Sequence, residues 1–243
     1  MRVLVLGDIH ANLEALTVVL AEARRLGFDR VVSVGDVVGY GADPSPCLDI
    51  LGGLGASIVM GNHDLAVAGG LPLDGFNAYA RAAVEWTAMK ISEKETAFLK
   101  TLPYTIREEA YAVSHGTLHK PEEFHYLMTE ADAVESLAIL DRPVCFLGHS
   151  HLPVWVRLKT GGDGLEVGQD AKVPVEASRP VLVNVGSVGQ PRDGDPRTVF
   201  CLYDTEKGEA VLHRLAYDFK ETGRKIREAG LPAMLADRLA MGR

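Results

Sequence analysis

The sequence predicts an α/β fold in which helices cover a mostly parallel sheet. Short, continuous apolar runs at residues 3–6, 31–34 and 57–60 are typical of buried parallel strands. Residues 12–26 and 46–51 lie between these runs and carry helical patterns, and Gly27 stands where the first helix would be capped. This strand–helix–strand alternation predicts βαβ units.

The remaining elements follow in order. We predict a helix over 76–102 with a break near Ser92, and a hairpin over 104–114. A further helix is predicted over 130–140 and a buried strand over 144–147. Strand signals dominate residues 154–199, and the glycine-rich segment 161–170 predicts a mobile hairpin tip. Residues 197–215 predict a hairpin that turns at Lys207-Gly208. No composition shift marks a boundary, so we predict one domain over 1–243. Its helical tail, at about 217–243, should pack on that domain rather than on a partner.

Composition excludes several classes of protein. Of 243 residues, 25 are Lys or Arg and 33 are Asp or Glu, for a formal net charge of −8, which argues against stable nucleic-acid binding. No apolar stretch reaches the roughly 18 residues of a membrane span, and the N-terminal apolar run is too short for a signal peptide. Three dispersed cysteines without a C-x-x-C pair predict buried thiols in a cytoplasmic protein. The oligomeric state stays open.

Metal-capable residues gather in five short segments, each where a predicted strand ends. The segments are Gly7-Asp8-Ile9-His10, Gly35-Asp36, Gly61-Asn62-His63-Asp64, His115-Gly116 and Gly148-His149-Ser150-His151. Alone, each segment has an ordinary explanation as a turn, a helix cap or a structural histidine. Strand ends of an α/β sheet meet at one edge, however, and residues i and i+2 of an extended chain point the same way. The joint occurrence therefore predicts a metal site.

The order D-x-H, G-D, G-N-H-D, H and G-H-x-H resembles the calcineurin-like metallophosphoesterase superfamily. The stretches Gly35-Asp36-Val37-Val38-Gly39-Tyr40-Gly41 and Asn184-Val185-Gly186-Ser187-Val188-Gly189-Gln190-Pro191-Arg192 are more similar to its bacterial and archaeal phosphodiesterase-type branch. The resemblance implies a four-layer αββα sandwich of two mixed β-sheets flanked by helices. It also implies an enzyme that hydrolyses phosphate esters with two divalent metal ions.

The resemblance assigns ligands to both ions. The first would be held by Asp8, His10, Asp36 and His151, and the second by Asp36, Asn62, His115 and His149, with Asp36 shared. Nitrogen and oxygen donors without cysteine suit Mn²⁺, Fe, Zn²⁺ or Co²⁺ and do not select one. A hydroxide shared by two such ions would attack phosphorus.

The same resemblance places His63 beside the leaving oxygen, as general acid or transition-state stabiliser. Asp64 would orient its imidazole. The alternative for Asp64 is that it caps the following helix.

Substrate preference follows from a departure from the family pattern. The phosphoprotein and dinucleotide-polyphosphate phosphatases of the superfamily carry G-D-x-x-D-R-G, and Gly39 and Tyr40 replace the Asp and Arg here. Because arginine forks clamp phosphomonoester dianions, their absence favours a small phosphodiester substrate. Two interpretations of Arg192 are open, a partial replacement for the clamp and a loop salt-bridge residue. Asn62, His119, Lys120 and Tyr126 are further substrate-contact candidates, and the alternative for the last three is a solvated loop. Two alternatives remain: a phosphatase of the G-D-x-x-D-R-G type, and a non-catalytic interaction scaffold.

Overall fold

The computed structural model describes residues 1–161 and 164–243. Its strands are β1 (Arg2–Leu6), β2 (Arg30–Ser33), β3 (Ser57–Ile58), β4 (Thr105–Arg107), β5 (Ala112–Ser114), β6 (Val144–Leu147), β7 (Val154–Leu158), β8 (Leu165–Gly168), β9 (Lys172–Pro174), β10 (Val181–Asn184), β11 (Thr198–Asp204) and β12 (Glu209–Leu215). Its α-helices are α1 (Leu13–Leu26), α2 (Pro44–Gly53), α3 (Asn62–Val67), α4 (Ala78–Lys90), α5 (Glu93–Leu99), α6 (Glu130–Ala138), α7 (Phe219–Glu228) and α8 (Ala233–Asp237).

The strands form two six-stranded mixed sheets. The first has the order β3-β2-β1-β11-β12-β9, and the second has the order β4-β5-β6-β10-β7-β8. Strands β1, β2 and β3 pair in parallel, as do β5, β6 and β10, whereas β11 and β7 pair antiparallel with their neighbours. The predicted α/β class with two mixed sheets is confirmed.

The alternation of side chains along each strand explains the four layers. In β1, Val3 and Val5 face the second sheet, while Leu4 and Leu6 face the other way and pack with Leu16 of α1. The second sheet packs on α6 through a separate apolar cluster that includes Leu147. Because both faces of each central strand are buried, the strands read as continuous apolar runs.

The glycine-rich segment 161–170 differs from its prediction. Residues 162 and 163 lie outside the described residues, but β8 occupies much of the rest and pairs antiparallel with β7. Leu165 packs on the cluster beneath α6, and Gly168 leaves room for the indole of Trp155. The prediction of a loop is therefore wrong for 165–168, since cross-strand packing outweighs the local glycine content.

The C-terminal helices pack on the rest of the chain. Leu235 and Leu239 share an apolar cluster with Tyr40 and Ala80, and the indole Nε1 of Trp86 donates to the carbonyl of Ala229 at 3.0 Å.

The three cysteines are free and buried. In the described part of the chain, no helix combines the length and apolar character that a membrane crossing requires.

Candidate active site

The five metal-capable segments meet at the carboxyl ends of β1, β2, β3, β5 and β6, where the two sheets face each other. Five of their non-glycine residues have left-handed backbone, with φ between 46° and 66°. They are Asp8, His10, Asp36, His149 and His151. Non-glycine residues held in this region cost about 1–3 kcal/mol each and cluster at functional sites. The strand ends therefore turn sharply, at an energetic cost, to bring these side chains together.

The first group comprises Asp8, His10 and His151, all buried, whose ligand-type atoms lie within 4.8 Å of one another. Asp8 Oδ1 lies 3.3 Å from His151 Nε2, and the two histidine Nε2 atoms are 3.2 Å apart. The backbone N–H of His149 donates to both oxygens of Asp8 at 3.1 Å. This hydrogen bond ties the end of β1 to the end of β6, and so one sheet to the other.

The second group comprises Asp36, His115 and His149, which are also buried and whose ligand-type atoms lie within 4.8 Å of one another. His115 Nε2 lies 3.1 Å from His149 Nδ1 and 3.0 Å from Asn62 Oδ1. Asp36 Oδ2 is 3.3 Å from His115 Nε2 and 3.6 Å from His10 Nε2. A single carboxylate oxygen thus stands between the two groups.

Backbone carbonyls fix the protonation of three of these rings. The Nδ1 atoms of His10, His115 and His151 lie 3.1, 2.8 and 2.6 Å from the carbonyls of Val38, Val34 and Gln190. Because a carbonyl only accepts, each Nδ1 carries the proton, and in a neutral ring Nε2 keeps a bare lone pair. The facing Nε2 atoms of His10 and His151 then repel each other unless a cation lies between them. This donor set fits a bound metal, with the carbonyls as its outer support.

The charge state of the site agrees with this arrangement except at His115, where burial would lower the pKa but the neighbouring Asp36 raises it to about 9. Burial holds the pKa of His10, His149 and His151 well below the usual histidine value, so these rings are neutral metal-type donors. Burial raises the pKa of Asp8 to about 8. Burial would also raise the pKa of Asp36, but the neighbouring histidines, His115 foremost, hold it well below the ordinary value. Buried carboxylates of this kind need a compensating positive charge.

His63 stands beside both groups in an aromatic cage. Its ring centroid lies 4.4 Å from that of Tyr40, 4.9 Å from that of His10 and 5.2 Å from that of Phe76. Its backbone N–H donates to Asp36 Oδ1 at 2.8 Å, and burial lowers the pKa of the ring to about 4. Within the described residues, its Nδ1 has no hydrogen-bond partner.

The predicted orienting role of Asp64 is wrong. Its carboxylate instead accepts from the backbone N–H groups of Val37, Val38 and Gly61 at 3.0–3.2 Å, which caps α3. Adjacent residues of a helix point about 100° apart and do not face each other, so Asp64 cannot reach the neighbouring imidazole. The alternative interpretation, a helix cap, is the one that the structure supports.

Gly39 provides the space for the His63 ring. Its φ is +86°, and a Cβ at this position would lie 2.5 Å from His63 Nδ1. We expect Gly39→Ala to displace the ring, to lower turnover at least ~10-fold, and to cost roughly 1–3 kcal/mol of stability from the left-handed backbone. Metal content should stay unchanged. Mass spectrometry for metal, steady-state kinetics and calorimetric melting test this.

Gly52→Ala is the matched control, because Gly52 lies in α2 with open space around its Cβ position. A substitution there should be neutral or stabilise by about 0.4–1 kcal/mol. Equal turnover in the two glycine variants would contradict the role given to Gly39.

Two of the predicted substrate contacts lie away from the site. His119 Nε2 lies 3.9 Å from a carboxylate oxygen of Glu135, and Lys120 Nζ lies 3.4 Å from one of Glu123. Neither residue lines the cleft that opens at the metal groups. Both form outward ion pairs, so the prediction is corrected for these two. Tyr126, in contrast, lines the cleft and stacks on His149 with centroids 3.8 Å apart.

Arg192 lies at the site. Its Nε and one terminal nitrogen donate to Gln190 Oε1 at 3.2 and 2.8 Å, and its guanidinium carbon lies 5.6 Å from the centre of the Tyr40 ring. Burial and then the charge of Arg192 are the two foremost causes of the lowered pKa of His151. The guanidinium is therefore near enough to act on an anion held at the metal groups.

A cleft of about 580 Å³ opens on the second group. Asn62, His63 and His149 lie in it, and segments 71–77 and 122–126 supply its walls. Sequence reasoning missed Phe76, which was predicted to begin a helix but lies in the loop before α4, and Phe124, which also lies in a loop. It also gave no role to Ser187, whose hydroxyl donates to the carbonyl of Asp8 at 2.8 Å. Ser187 follows β10, so the rule of strand ends, applied to that strand too, would have found it.

Comparison with known proteins agrees with the site. The model of the calcineurin-like phosphoesterase superfamily domain matches residues 1–208. The crystal structure of a metallophosphoesterase from Sphaerobacter thermophilus is similar at a TM-score of 0.88 and 37% identity, over 100% of this chain and 99% of that one. The uncharacterized protein MJ0912 of Methanocaldococcus jannaschii is 37% identical over 244 residues, which cover 98% of this chain and 97% of that protein.

A more distant likeness concerns the fold alone. The crystal structure of hypothetical protein PH1004 from Pyrococcus horikoshii has a TM-score of 0.80 at 18% identity, over 100% of this chain and 98% of the other. The match to the family model and the two relatives at 37% identity carry the assignment. The chain therefore belongs to the calcineurin-like phosphoesterase superfamily.

Proposed function

We propose that this protein is a phosphodiesterase that requires two divalent metal ions and acts on a small phosphate diester. The observation that carries the proposal is the pair of buried Asp/His groups joined by Asp36, with His63 beside them. Binding and catalytic groups thus stand within reach of one phosphorus atom, which is the arrangement that two-metal ester hydrolysis needs.

The residues present fit two ions. Asp8, His10 and His151 would hold one, Asp36 would serve both, and His115, His149 and Asn62 would complete the other. When bound, such ions activate water and neutralise charge on phosphoryl oxygens. Manganese, iron, zinc and cobalt all accept this nitrogen and oxygen donor set.

The chain's own residues have separate tasks. Asn62 lines the cleft, where its amide can contact a phosphoryl oxygen as well as a metal ion. His63 offers an imidazole N–H to the phosphoryl or leaving oxygen, with the rings of Tyr40 and Phe76 packed beside it. Arg192 supplies the positive charge that attracts the anionic substrate.

The diester preference rests on the cations that the site offers. Gly39 leaves no room for an acidic side chain beside His63, and Tyr40 stands where an arginine would provide a second fork. Arg192 is then the single arginine that we assign to substrate. One guanidinium suits a singly charged diester better than the dianion of a monoester.

The test compares bis(p-nitrophenyl) phosphate with p-nitrophenyl phosphate, using manganese-loaded protein. We expect kcat/KM for the diester to exceed that for the monoester at least ~10-fold, or roughly 1.4 kcal/mol in transition-state binding. A monoester preference would favour the phosphatase alternative. Absence of turnover on both esters with metal bound would favour the scaffold alternative.

Arg192→Ala should raise KM for the diester about 10- to 100-fold, because a charge-assisted hydrogen bond contributes roughly 1.5–3 kcal/mol. Metal content should not change. Arg192→Lys should recover only part of the loss, since an ammonium cannot form the planar fork. The control is Arg197→Ala on the same loop, an exposed arginine paired with Asp195. Steady-state kinetics measure KM, and an unchanged KM in Arg192→Ala would contradict the role of Arg192 in attracting the substrate.

A further inference from the structure

The cleft beside His63 is large enough for one arm of a diester. Its volume of about 580 Å³ falls within the range of small-molecule sites. His63 and Asn62 lie in it, next to the metal groups. If His63 assists the leaving oxygen, as the proposed function requires, the arm that departs with that oxygen occupies this cleft.

The walls of the cleft are aromatic and apolar. Tyr126 stacks on His149 with an angle of 16° between the rings, and 47% of its surface is exposed, so its outer face is open to a ligand. Phe76 meets the edge of His63 at 80°, and Leu71 and Pro72 extend this apolar wall. A flat ring would gain stacking here, whereas a slender alkyl arm would leave both walls unfilled.

The charges at the cleft select against an anionic arm. Glu122 and Glu123 line it, and among the residues that the structure describes no lysine or arginine does. Glu123 is paired with His125 at 2.6 Å and with Lys120 at 3.4 Å, which holds this carboxylate near the opening, whereas Glu122 forms no ion pair within the described residues. Carboxylates repel a further phosphate and accept hydrogen bonds from N–H groups.

We infer that the cleft binds a neutral, planar heteroaromatic leaving arm that carries amino groups, namely a nucleoside with an adenine, guanine or cytosine base. The base stacks on Tyr126, and its exocyclic amine donates to the carboxylates at the opening. The inference rests on the proposed phosphodiesterase function and names the class of its leaving group. It places the second ester arm and the phosphate outside this cleft, on the side of the metal groups and Arg192.

The test measures binding of adenosine to the manganese-loaded protein by titration calorimetry, so that it does not depend on turnover. Adenosine should bind at least ~10-fold more tightly than ribose, and more tightly than uridine, which lacks an exocyclic amine. Tyr126→Ala should weaken adenosine binding at least ~5-fold, and Tyr126→Phe should restore it, since the ring and not the hydroxyl stacks. Adenosine should also inhibit diester hydrolysis competitively.

Tyr79→Ala is the matched control, because Tyr79 is a 46% exposed tyrosine that does not line the cleft. Equal affinity for adenosine and ribose, or unchanged adenosine binding in Tyr126→Ala with its manganese retained, would overturn the inference. Diester turnover in the same preparation would then leave the proposed function standing. Tyr126-dependent adenosine binding without any turnover would instead support the cleft and remove the proposed function.

Discussion

Replacing His63 by alanine is expected to lower kcat for diester hydrolysis by about 10²- to 10⁴-fold, the usual contribution of a positioned acid–base group. Metal content should stay at the wild-type value, because His63 belongs to neither group of metal-type ligands. Its backbone N–H, which donates to Asp36 Oδ1, also survives the substitution. Steady-state kinetics together with metal analysis after dialysis would measure both parts of the expectation.

A comparison of two leaving groups shows at which oxygen His63 acts. p-Nitrophenolate departs without help, whereas an alkoxide needs a proton or a hydrogen bond as it leaves. If His63→Ala lowers kcat more for an alkyl ester than for bis(p-nitrophenyl) phosphate, His63 acts at the leaving oxygen. If kcat falls equally for both esters, His63 acts at the non-bridging oxygens instead.

His213→Ala serves as the control, because this ring stacks on Phe200 with centroids 5.0 Å apart and takes no part in the site. It should retain wild-type turnover. Full activity in His63→Ala, or loss of metal from it, would contradict the role given to His63.

The metal groups could be predicted from sequence because their placement follows from strand order. Asp8, Asp36 and His149 each follow, within three residues, a strand whose continuous apolar run marks it as buried. Parallel strands that end at one level bring such residues together whatever the intervening helices do. Apolar runs do not reveal which strands pair. Only the family resemblance therefore implied that two sheets, and not one, supply the five segments.

Residues whose role depends on local backbone could not be predicted in this way. Asp64 follows His63 in the sequence, but α3 begins at Asn62 and turns the two side chains apart. Lys120 has φ 47° and pairs with Glu123, away from the cleft. Phe76 lies in the loop before α4 rather than in the predicted helix, and Tyr126 lies in another loop, so only the folded chain shows that both reach the site.

Asp36→Asn should give the largest loss of metal. The substitution keeps an oxygen that can accept from the backbone N–H of His63, but it replaces the charged Oδ2 that lies 3.6 Å from His10 Nε2 and 3.3 Å from His115 Nε2. We expect metal content to fall from two ions per chain to one or none, and kcat to fall at least ~10³-fold, since activation by metal is lost.

Stability should fall as well in the metal-free protein. Burial alone would lower the pKa of His115, but Asp36 raises it to about 9, so at neutral pH the ring is protonated and pairs with this carboxylate. Asp36→Asn removes that pair, and its apo form should melt below the apo wild type. Added manganese should stabilise the wild type by about 2.7 kcal/mol at one hundred times the dissociation constant, measured as a higher melting temperature, and should stabilise the variant less or not at all.

Asp64→Asn is the matched comparison, since this buried carboxylate binds three backbone N–H groups and belongs to neither metal group. An amide cannot accept from all three in the same way, so the variant should lose roughly 1–3 kcal/mol of stability while keeping its metal. Metal analysis and calorimetric melting with and without chelator separate the two effects. Two ions retained in Asp36→Asn, or metal lost from a folded Asp64→Asn, would show that the shared carboxylate has been placed at the wrong residue.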